Sequence, residues 1–218
     1  MKSVPIDKVY STLKSYTKNL PVPVVELVEA QTKDPFKVLV TTILSARTKD
    51  QTTVFAIKKL FKVVHLPSDL QKLSVKKIEE LIYPVGFYKN KAKYLKALPD
   101  ELNEQFAGII PHTIDELIKL PGVGRKTANL VVAIAFAKPA ICVDIHVHRI
   151  SNRLGYLKTK TPYESEMILR KKLPKKYWIS YNTILVAFGQ HLCAPVSPHC
   201  SKCPIIKYCN RIGVKTSR

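Results

Sequence analysis

Acidic residues are scarce in this 218-residue chain, where 16 Asp and Glu stand against 36 Lys and Arg and the formal net charge is +20. This imbalance argues against the balanced Lys–Glu ion-pair networks that are typical of heat-adapted proteins. The excess positive charge instead attracts polyanions, so nucleic acid is the first partner to consider. An anionic membrane surface is the competing partner. The chain lacks a long basic amphipathic stretch, however, and we expect no membrane binding.

Long apolar runs are also absent. The longest, residues 130–137, is much shorter than the roughly 20 residues that span a bilayer. Residues 1–18 alternate charged and polar side chains and contain no run typical of a secretion signal. These features predict an intracellular protein of the cytoplasm or nucleoid, and we expect it to be a monomer.

The sequence also lacks the alternating strands on either side of a tight turn that indicate a β-hairpin. Three segments place a hydroxyl residue three positions before Glu or Gln, as capping boxes do: residues 68–71, 113–116 and 161–164. Four others have helix length and apolar residues at three- and four-residue spacings: residues 36–46, 52–64, 126–137 and 177–192. These patterns predict an all-α fold of roughly ten short helices.

Glycine is rare, and two of the seven glycines, Gly122 and Gly124, lie in residues 120–126, Leu-Pro-Gly-Val-Gly-Arg-Lys. In a tight turn between two helices, their N–H groups would point outward at the positive end of the second helix. A phosphodiester fits such an anion site. An ordinary helix–helix corner would explain a lone Gly-x-Gly. The following Arg125 and Lys126 favour a clamp for the DNA backbone.

Lys126 occupies the first turn of the second predicted helix, where the helix dipole disfavours a charged amine. A neutral amine is a nucleophile that can attack a sugar C1′, expel a base and leave a Schiff base. The alternative role for Lys126 is neutralisation of a phosphate.

Asp144 is an acidic residue in an apolar segment of a basic chain. Its carboxylate could stabilise an oxocarbenium-like sugar or assist deprotonation of the lysine. The alternative is the N-cap of a helix over residues 145–154, and both roles are compatible. Nearby, His146 and His148 are candidates for DNA contacts or proton relays, with a satisfied structural histidine as the alternative for each.

Four of the five cysteines lie near the C-terminal end, at Cys193, Cys200, Cys203 and Cys209, separated by six, two and five residues. In a reducing cytosol this grouping favours a metal site over disulfides. The spacing leaves zinc and an iron–sulfur cluster open. The fifth cysteine, Cys142, is interpreted as a small buried hydrophobic residue.

Residues 120–129, the Val143-Asp144 pair and the cysteine spacing together resemble the endonuclease III family, over residues 44–50 through the cysteine tail. The resemblance implies that Lys126 is the Schiff-base nucleophile, that Asp144 is the catalytic carboxylate, and that the four cysteines bind a [4Fe–4S] cluster. It also implies two helical domains with a DNA cleft between them. Residues 28–138 would form a six-helix domain with a helix-hairpin-helix motif, and residues 1–27 and 139–218 an iron–sulfur cluster domain.

Enzymes of this type flip the damaged nucleotide out of the duplex and fill the gap with inserted side chains. The resemblance places Arg47 and Phe87 at these gap-filling positions, where bacterial members carry Gln and Leu. A core position is the alternative for Phe87. Together with Gly122, Gly124 and Arg125, and with His146, these residues are the predicted DNA contacts.

The expected activity is that of a bifunctional DNA glycosylase and AP lyase of base excision repair. It would remove oxidised or ring-damaged pyrimidines from double-stranded DNA and cleave abasic sites by β-elimination through a Lys126 Schiff base. One alternative is a mismatch-type glycosylase of the same superfamily, but relatives that cut only the glycosidic bond usually lack an amine at this position. The other is a non-catalytic helix-hairpin-helix DNA-binding module, which has no need of Asp144.

Overall fold

The computed structural model describes residues 3–21 and 23–218. These residues form twelve α-helices and three short 3-10 helices, with no strand among them. The α-helices are α1 (Ile6–Thr17), α2 (Val24–Thr32), α3 (Pro35–Ser45), α4 (Asp50–Leu60), α5 (Pro67–Gln71), α6 (Val75–Ile82), α7 (Tyr88–Phe106), α8 (Ile114–Leu117), α9 (Arg125–Ala135), α10 (Ile145–Leu154), α11 (Pro162–Lys172) and α12 (Trp178–His191). The all-α prediction is confirmed. No helix in the described part of the chain is long and apolar enough to cross a membrane.

The chain divides into two compact units. The central unit is Val24–Lys138, and the terminal unit comprises the described residues up to Pro23 together with Pro139–Arg218. The division expected from the sequence falls between residues 27 and 28, within α2. In the structure the whole of α2 packs against α3 and belongs to the central unit. The central unit contains eight helices. Six of them have eight residues or more, and the other two, α5 and α8, are single turns.

The central unit is built around α3, whose residues from Val38 to Leu44 are all buried. It packs against α2, α4, α7 and α9, which explains why it is apolar on every side. The helix begins with Pro35 at its first position, and Asp34 accepts hydrogen bonds from the N–H groups of Phe36 and Lys37. Local capping and burial therefore both fix the position at which α3 starts.

At two of the three predicted capping boxes, the hydroxyl residue is the N-cap of a helix. Thr113 and Thr161 are the N-caps of α8 and α11, and each hydroxyl accepts a hydrogen bond from the N–H three residues later. The prediction for Ser68 is wrong, because this residue lies inside α5. There the Asp69 carboxylate accepts hydrogen bonds at 3.0 Å from the N–H groups of the two residues that precede Pro67.

The terminal unit places α1 and α10 against α12, and α11 against α10. Its core is apolar and includes Leu13 of α1, Val147 of α10 and Phe188 of α12. The Tyr10 hydroxyl lies 2.5 Å from the Ser180 hydroxyl and further joins α1 to α12. Two helices that are far apart in the sequence therefore share one core.

Candidate functional site: a helix-hairpin-helix surface and a four-cysteine pocket

The glycine-rich segment forms the turn between α8 and α9. Gly122 has a φ of 77°, and a Cβ atom there would lie 2.6 Å from Cδ2 of Tyr94. Both the backbone conformation and the packing therefore require glycine at this position. Gly124 is the N-cap of α9, where no side chain supplies a cap hydrogen bond, and a Cβ there would meet no atom within 4 Å. The first turn of α9 thus has open space beside backbone N–H groups, as an anion site requires.

The two glycines are expected to respond differently to alanine. Gly122→Ala should lower the free energy of unfolding by more than about 1 kcal/mol, because it combines a positive φ with a clash. Gly124→Ala should leave stability near that of the native protein but weaken DNA binding, because the added methyl group occupies the space beside the α9 N-terminus. Thermal unfolding and duplex-binding titrations measure the two effects. Equal stability losses in both variants would contradict this assignment.

Lys126 lies on the exposed side of the first turn of α9, directly after Arg125. Beyond Lys126, every residue from Thr127 to Ala133 is buried, so this part of the helix is covered on all sides. The helix is therefore anchored in the core of the central unit, and it presents the Lys126 amine to solvent beside the open hairpin.

Arg47 and Phe87 meet on the surface of the same unit. The Arg47 guanidinium lies 5.5 Å from the centroid of the Phe87 ring. Phe87 is 60% exposed, so the core alternative for this residue is wrong. The two side chains line one groove together with Tyr94 and Gly122. The structure thus brings three of the predicted DNA contacts, Arg47, Phe87 and Gly122, to a single groove.

Both Arg47 and Phe87 adopt the left-handed backbone conformation, with φ of 55° and 58°. This conformation costs a non-glycine residue on the order of 1 kcal/mol, and it persists only where the surroundings impose it. Such residues concentrate at functional sites. Five other described non-glycine residues also have a positive φ, so the backbone geometry supports a binding role here only together with the shared groove.

Asp144 belongs to the terminal unit and is the N-cap of α10. Its Oδ1 accepts hydrogen bonds from the N–H groups of His146 at 2.8 Å and Val147 at 2.9 Å, and the residue is 8% exposed. The predicted capping role is confirmed, and the catalytic role stays a prediction. These hydrogen bonds to backbone donors hold the carboxylate in a fixed orientation.

The two histidines that follow Asp144 have partners within the terminal unit. Nδ1 of His148 lies 2.7 Å from the Ser165 hydroxyl, in agreement with a structural role. Nδ1 of His146 lies 3.1 Å from a guanidinium nitrogen of Arg149, which also donates to the carbonyl of Cys193 at 2.8 Å. His146 is therefore connected to the cysteine segment through Arg149, and its contact with DNA stays a prediction.

The four C-terminal cysteines line one pocket of the terminal unit: Cys193, Cys200, Cys203 and Cys209. Burial and, to a smaller extent, the neighbouring cysteine thiols raise the pKa of the Cys203 thiol to about 11. No group of three or more His, Cys, Asp or Glu within the described ranges is arranged to hold a metal ion. The fifth cysteine, Cys142, is buried at a separate position, as predicted.

Arg153 fixes the start of the cysteine segment. Its guanidinium donates to the carbonyls of Ala194 at 2.6 Å and Pro195 at 2.5 Å, and Nη1 lies 3.5 Å from Sγ of Cys193. These contacts orient the first thiol toward the pocket that the other three line.

The sequence interpretation missed Lys91, which is buried in the central unit although it belongs to an exposed basic run. A signal for this burial exists in the sequence. Lys91 lies on the same side of α7 as Leu95, Leu98 and Leu102, which follow it at spacings of three or four residues and form the apolar stripe of this helix. A charged residue on such a stripe indicates a buried contact that the helix pattern alone does not explain.

Residues 40–175 match the family model described as "HhH-GPD superfamily base excision DNA repair protein". Endonuclease III of Thermotoga maritima is 47% identical over 176 residues, which cover 81% of this chain and 83% of that protein. Endonuclease III of Bacillus subtilis is 40% identical over 186 residues, or 85% and 84% of the two chains. The chain spans about half the length of two chloroplastic Arabidopsis thaliana homologues, 52% and 47%.

The fold is similar to that of endonuclease III in a non-covalent complex with DNA, with a TM-score of 0.85 and 35% identity over 94% of each chain. A trapped covalent endonuclease III–DNA intermediate gives a TM-score of 0.81 and 34% identity, covering 96% of this chain and 97% of that one. Because the family model, the sequence identities and the fold agree over most of its length, the chain belongs to the endonuclease III family of HhH-GPD base excision DNA repair proteins.

Proposed function

We propose that this protein is a bifunctional DNA glycosylase and AP lyase of base excision repair, acting inside the cell as a monomer. Its substrate is double-stranded DNA that contains an oxidised or ring-damaged pyrimidine or an abasic site. The observation that carries the proposal is the exposed Lys126 amine in the first turn of α9, directly beside the open hairpin at Gly124, in a chain of the endonuclease III family.

The hairpin and the amine have complementary tasks in this reaction. Backbone N–H groups at the α9 N-terminus bind a phosphodiester and position the damaged nucleotide without reading its sequence. The Lys126 amine attacks C1′ of the sugar, and the bond from C1′ to the base breaks. The C1′–O4′ bond then breaks as O4′ takes up a proton, which opens the sugar ring and leaves a Schiff base between C1′ and Lys126. Loss of a proton from C2′ and departure of the 3′ phosphate then complete the β-elimination that cleaves the strand.

Asp144 supplies negative charge to the same chemistry. Its buried carboxylate stabilises the positive charge that develops on the sugar as the base leaves. The two backbone hydrogen bonds to Oδ1 support this role, because they orient the carboxylate before the substrate arrives.

Arg47 and Phe87 fill the gap that the flipped nucleotide leaves in the duplex. Their exposure, the position of the Arg47 guanidinium over the Phe87 ring and their shared groove with Gly122 support this role. A flat guanidinium on an aromatic ring presents an area that stacks on bases of any sequence. The same geometry therefore suits damage in many sequence contexts.

Borohydride trapping tests the proposed function. The native protein is incubated with duplexes that contain an abasic site or thymine glycol, and the intact duplex serves as the control. We expect a covalent adduct with both damaged duplexes and none with the control, because borohydride reduces the Schiff base to a stable amine. A native protein that cleaves abasic sites without any trapped adduct would contradict the lyase mechanism.

The four cysteine thiols of the terminal unit fit the [4Fe–4S] cluster that the family resemblance implies. They surround one pocket, and in such a cluster each of four thiolates binds a separate iron, so the thiols need not converge on a single ion. Cys193, Cys200, Cys203 and Cys209 would be the ligands. When bound, the cluster would supply iron–thiolate bonds that fasten the proline-containing segment after α12 into a defined loop.

Cluster binding predicts a brown protein that contains both iron and acid-labile sulfide. Cys203→Ser should lose most of the iron and unfold at a lower temperature, whereas Cys142→Ser should keep its iron because Cys142 lies outside the pocket. Metal and sulfide analysis of both variants measures this difference. A colourless, zinc-containing native protein with full activity would contradict the assignment.

A further inference from the structure

Lys91 is a buried lysine that the chemistry described above does not use. It lies on α7 and is 5% exposed. Its Nζ donates hydrogen bonds to the carbonyls of Leu44 at 2.8 Å and Ala46 at 2.6 Å, and to the hydroxyl of Thr48 at 3.2 Å. All three partners are uncharged oxygens, and burial lowers the pKa of Lys91 to about 8. Burying an ammonium group among neutral partners is costly, so this side chain calls for an explanation.

The three oxygen acceptors surround the turn that carries Arg47. Leu44 and Ala46 precede Arg47 at the end of α3, and Thr48 follows it. Arg47 lies between them with a φ of 55°. One ammonium group therefore holds both sides of a turn whose central residue has an unfavourable backbone conformation.

Lys91 also holds the turn that carries Phe87. Its backbone N–H donates to the Phe87 carbonyl at 3.1 Å, at the start of α7. The Thr48 hydroxyl that accepts from Lys91 also accepts from the N–H of Gly86 at 3.2 Å. A Cβ atom at Gly86 would lie 2.6 Å from the Arg47 carbonyl, so the two turns are in direct backbone contact.

We propose that Lys91 is a positioning residue that locks the Arg47 turn to the Phe87 turn, so that the two stacked side chains enter the duplex as one rigid pair. The inference rests on the proposed function, because it assigns these side chains to the gap in damaged DNA. Pre-organisation matters for such a pair. If either turn relaxed, the ring and the guanidinium would separate, and part of the binding energy would be spent on ordering them again.

The alternative is that Lys91 only satisfies the last carbonyl groups of α3 and so supports folding. The two roles predict different responses to DNA. If Lys91 only supports folding, its loss should weaken binding to every duplex by the same factor. If Lys91 positions the two turns, its loss should weaken binding only to a duplex that contains a gap to fill. Binding to intact duplex therefore serves as an internal reference.

The test compares binding to two duplexes of the same sequence, one intact and one with a tetrahydrofuran abasic-site analogue. Lys91→Met removes all three side-chain hydrogen bonds, and Thr48→Val removes the hydroxyl that joins the two turns. The matched control is Lys96→Met, which removes a lysine of the same helix whose Nζ donates to the Gln71 carbonyl at 2.6 Å, away from both turns.

We expect Lys91→Met to lose about tenfold or more of its preference for the abasic duplex, because small errors of placement at an active site have effects of this size. Thr48→Val should lose less, in the same direction, and Lys96→Met should bind as the native protein does. A 2-aminopurine base placed opposite the analogue should change its fluorescence with the native protein and respond much less with Lys91→Met. The affinity for the intact duplex should be the same for the native protein and for all three variants.

The inference is overturned if the Lys91 and Thr48 variants keep the native preference, or if they bind both duplexes more weakly by the same factor. If Lys91→Met does not fold, Thr48→Val decides the outcome alone. A native protein without any preference for the abasic duplex would instead contradict the proposed function. The two failures are therefore distinguishable in one set of titrations.

Discussion

Lys126→Ala is expected to abolish both the borohydride-trapped adduct and cleavage at abasic sites. The methyl group of alanine cannot form a Schiff base, and no step of the elimination proceeds without that bond. The loss in single-turnover rate should be on the order of a thousandfold or more, as for removal of other covalent nucleophiles. Gel separation of trapped complexes and cleaved strands measures both effects.

The same substitution should leave the fold and DNA binding almost unchanged. Lys126 is exposed, so its removal creates no cavity, and the hairpin that we propose binds phosphate stays intact. Lys138→Ala is the matched control, because it removes an equal charge from an exposed position beyond the other end of α9. If Lys126→Ala still formed a trapped adduct, another amine would be the nucleophile.

Asp144→Asn is expected to slow base removal by about a hundredfold to a thousandfold, because it removes the charge that we propose stabilises the transition state. Asparagine caps helices about as well as aspartate, so the hydrogen bonds to the N–H groups of His146 and Val147 should persist. The melting temperature should therefore stay near the native value while the single-turnover rate on a thymine glycol duplex falls.

Comparison with Asp144→Ala separates catalysis from capping at this position. Alanine removes both the charge and the cap, and loss of the cap should cost about 1 kcal/mol of stability. We expect the two variants to be similarly slow but only Asp144→Ala to be clearly destabilised. An Asp144→Asn protein with native activity would show that the carboxylate serves α10 alone.

The sequence predicts the features of this fold that depend on residues close together in the chain. The caps at Thr113 and Thr161 and the cap of α10 by Asp144 all involve a side chain and an N–H within three residues. The hairpin is recognisable for the same reason, because its glycines lie between two helical segments. Ser68 shows the limit of such patterns, since the nearby Asp69 carboxylate caps the helix start in its place.

The sequence does not predict the features that depend on packing between distant segments. The approach of Arg47 to Phe87, and the requirement for glycine at Gly122 beside Tyr94, appear only when α3, α7 and the hairpin are assembled. Burial of Lys91 follows from the same assembly. Short motifs therefore locate the candidate nucleophile, whereas the contacts that position the candidate gap-filling residues, Arg47 and Phe87, come from tertiary structure.

The packing of α1 against α12 has a consequence for the synthesis of the protein on the ribosome. Every residue of the central unit is contiguous in the chain, so this unit can fold while translation continues. α1 emerges before it, but its apolar partner α12 is translated only at residues 178–191. The apolar face of α1 therefore has no partner until α12 is synthesised, after the whole central unit.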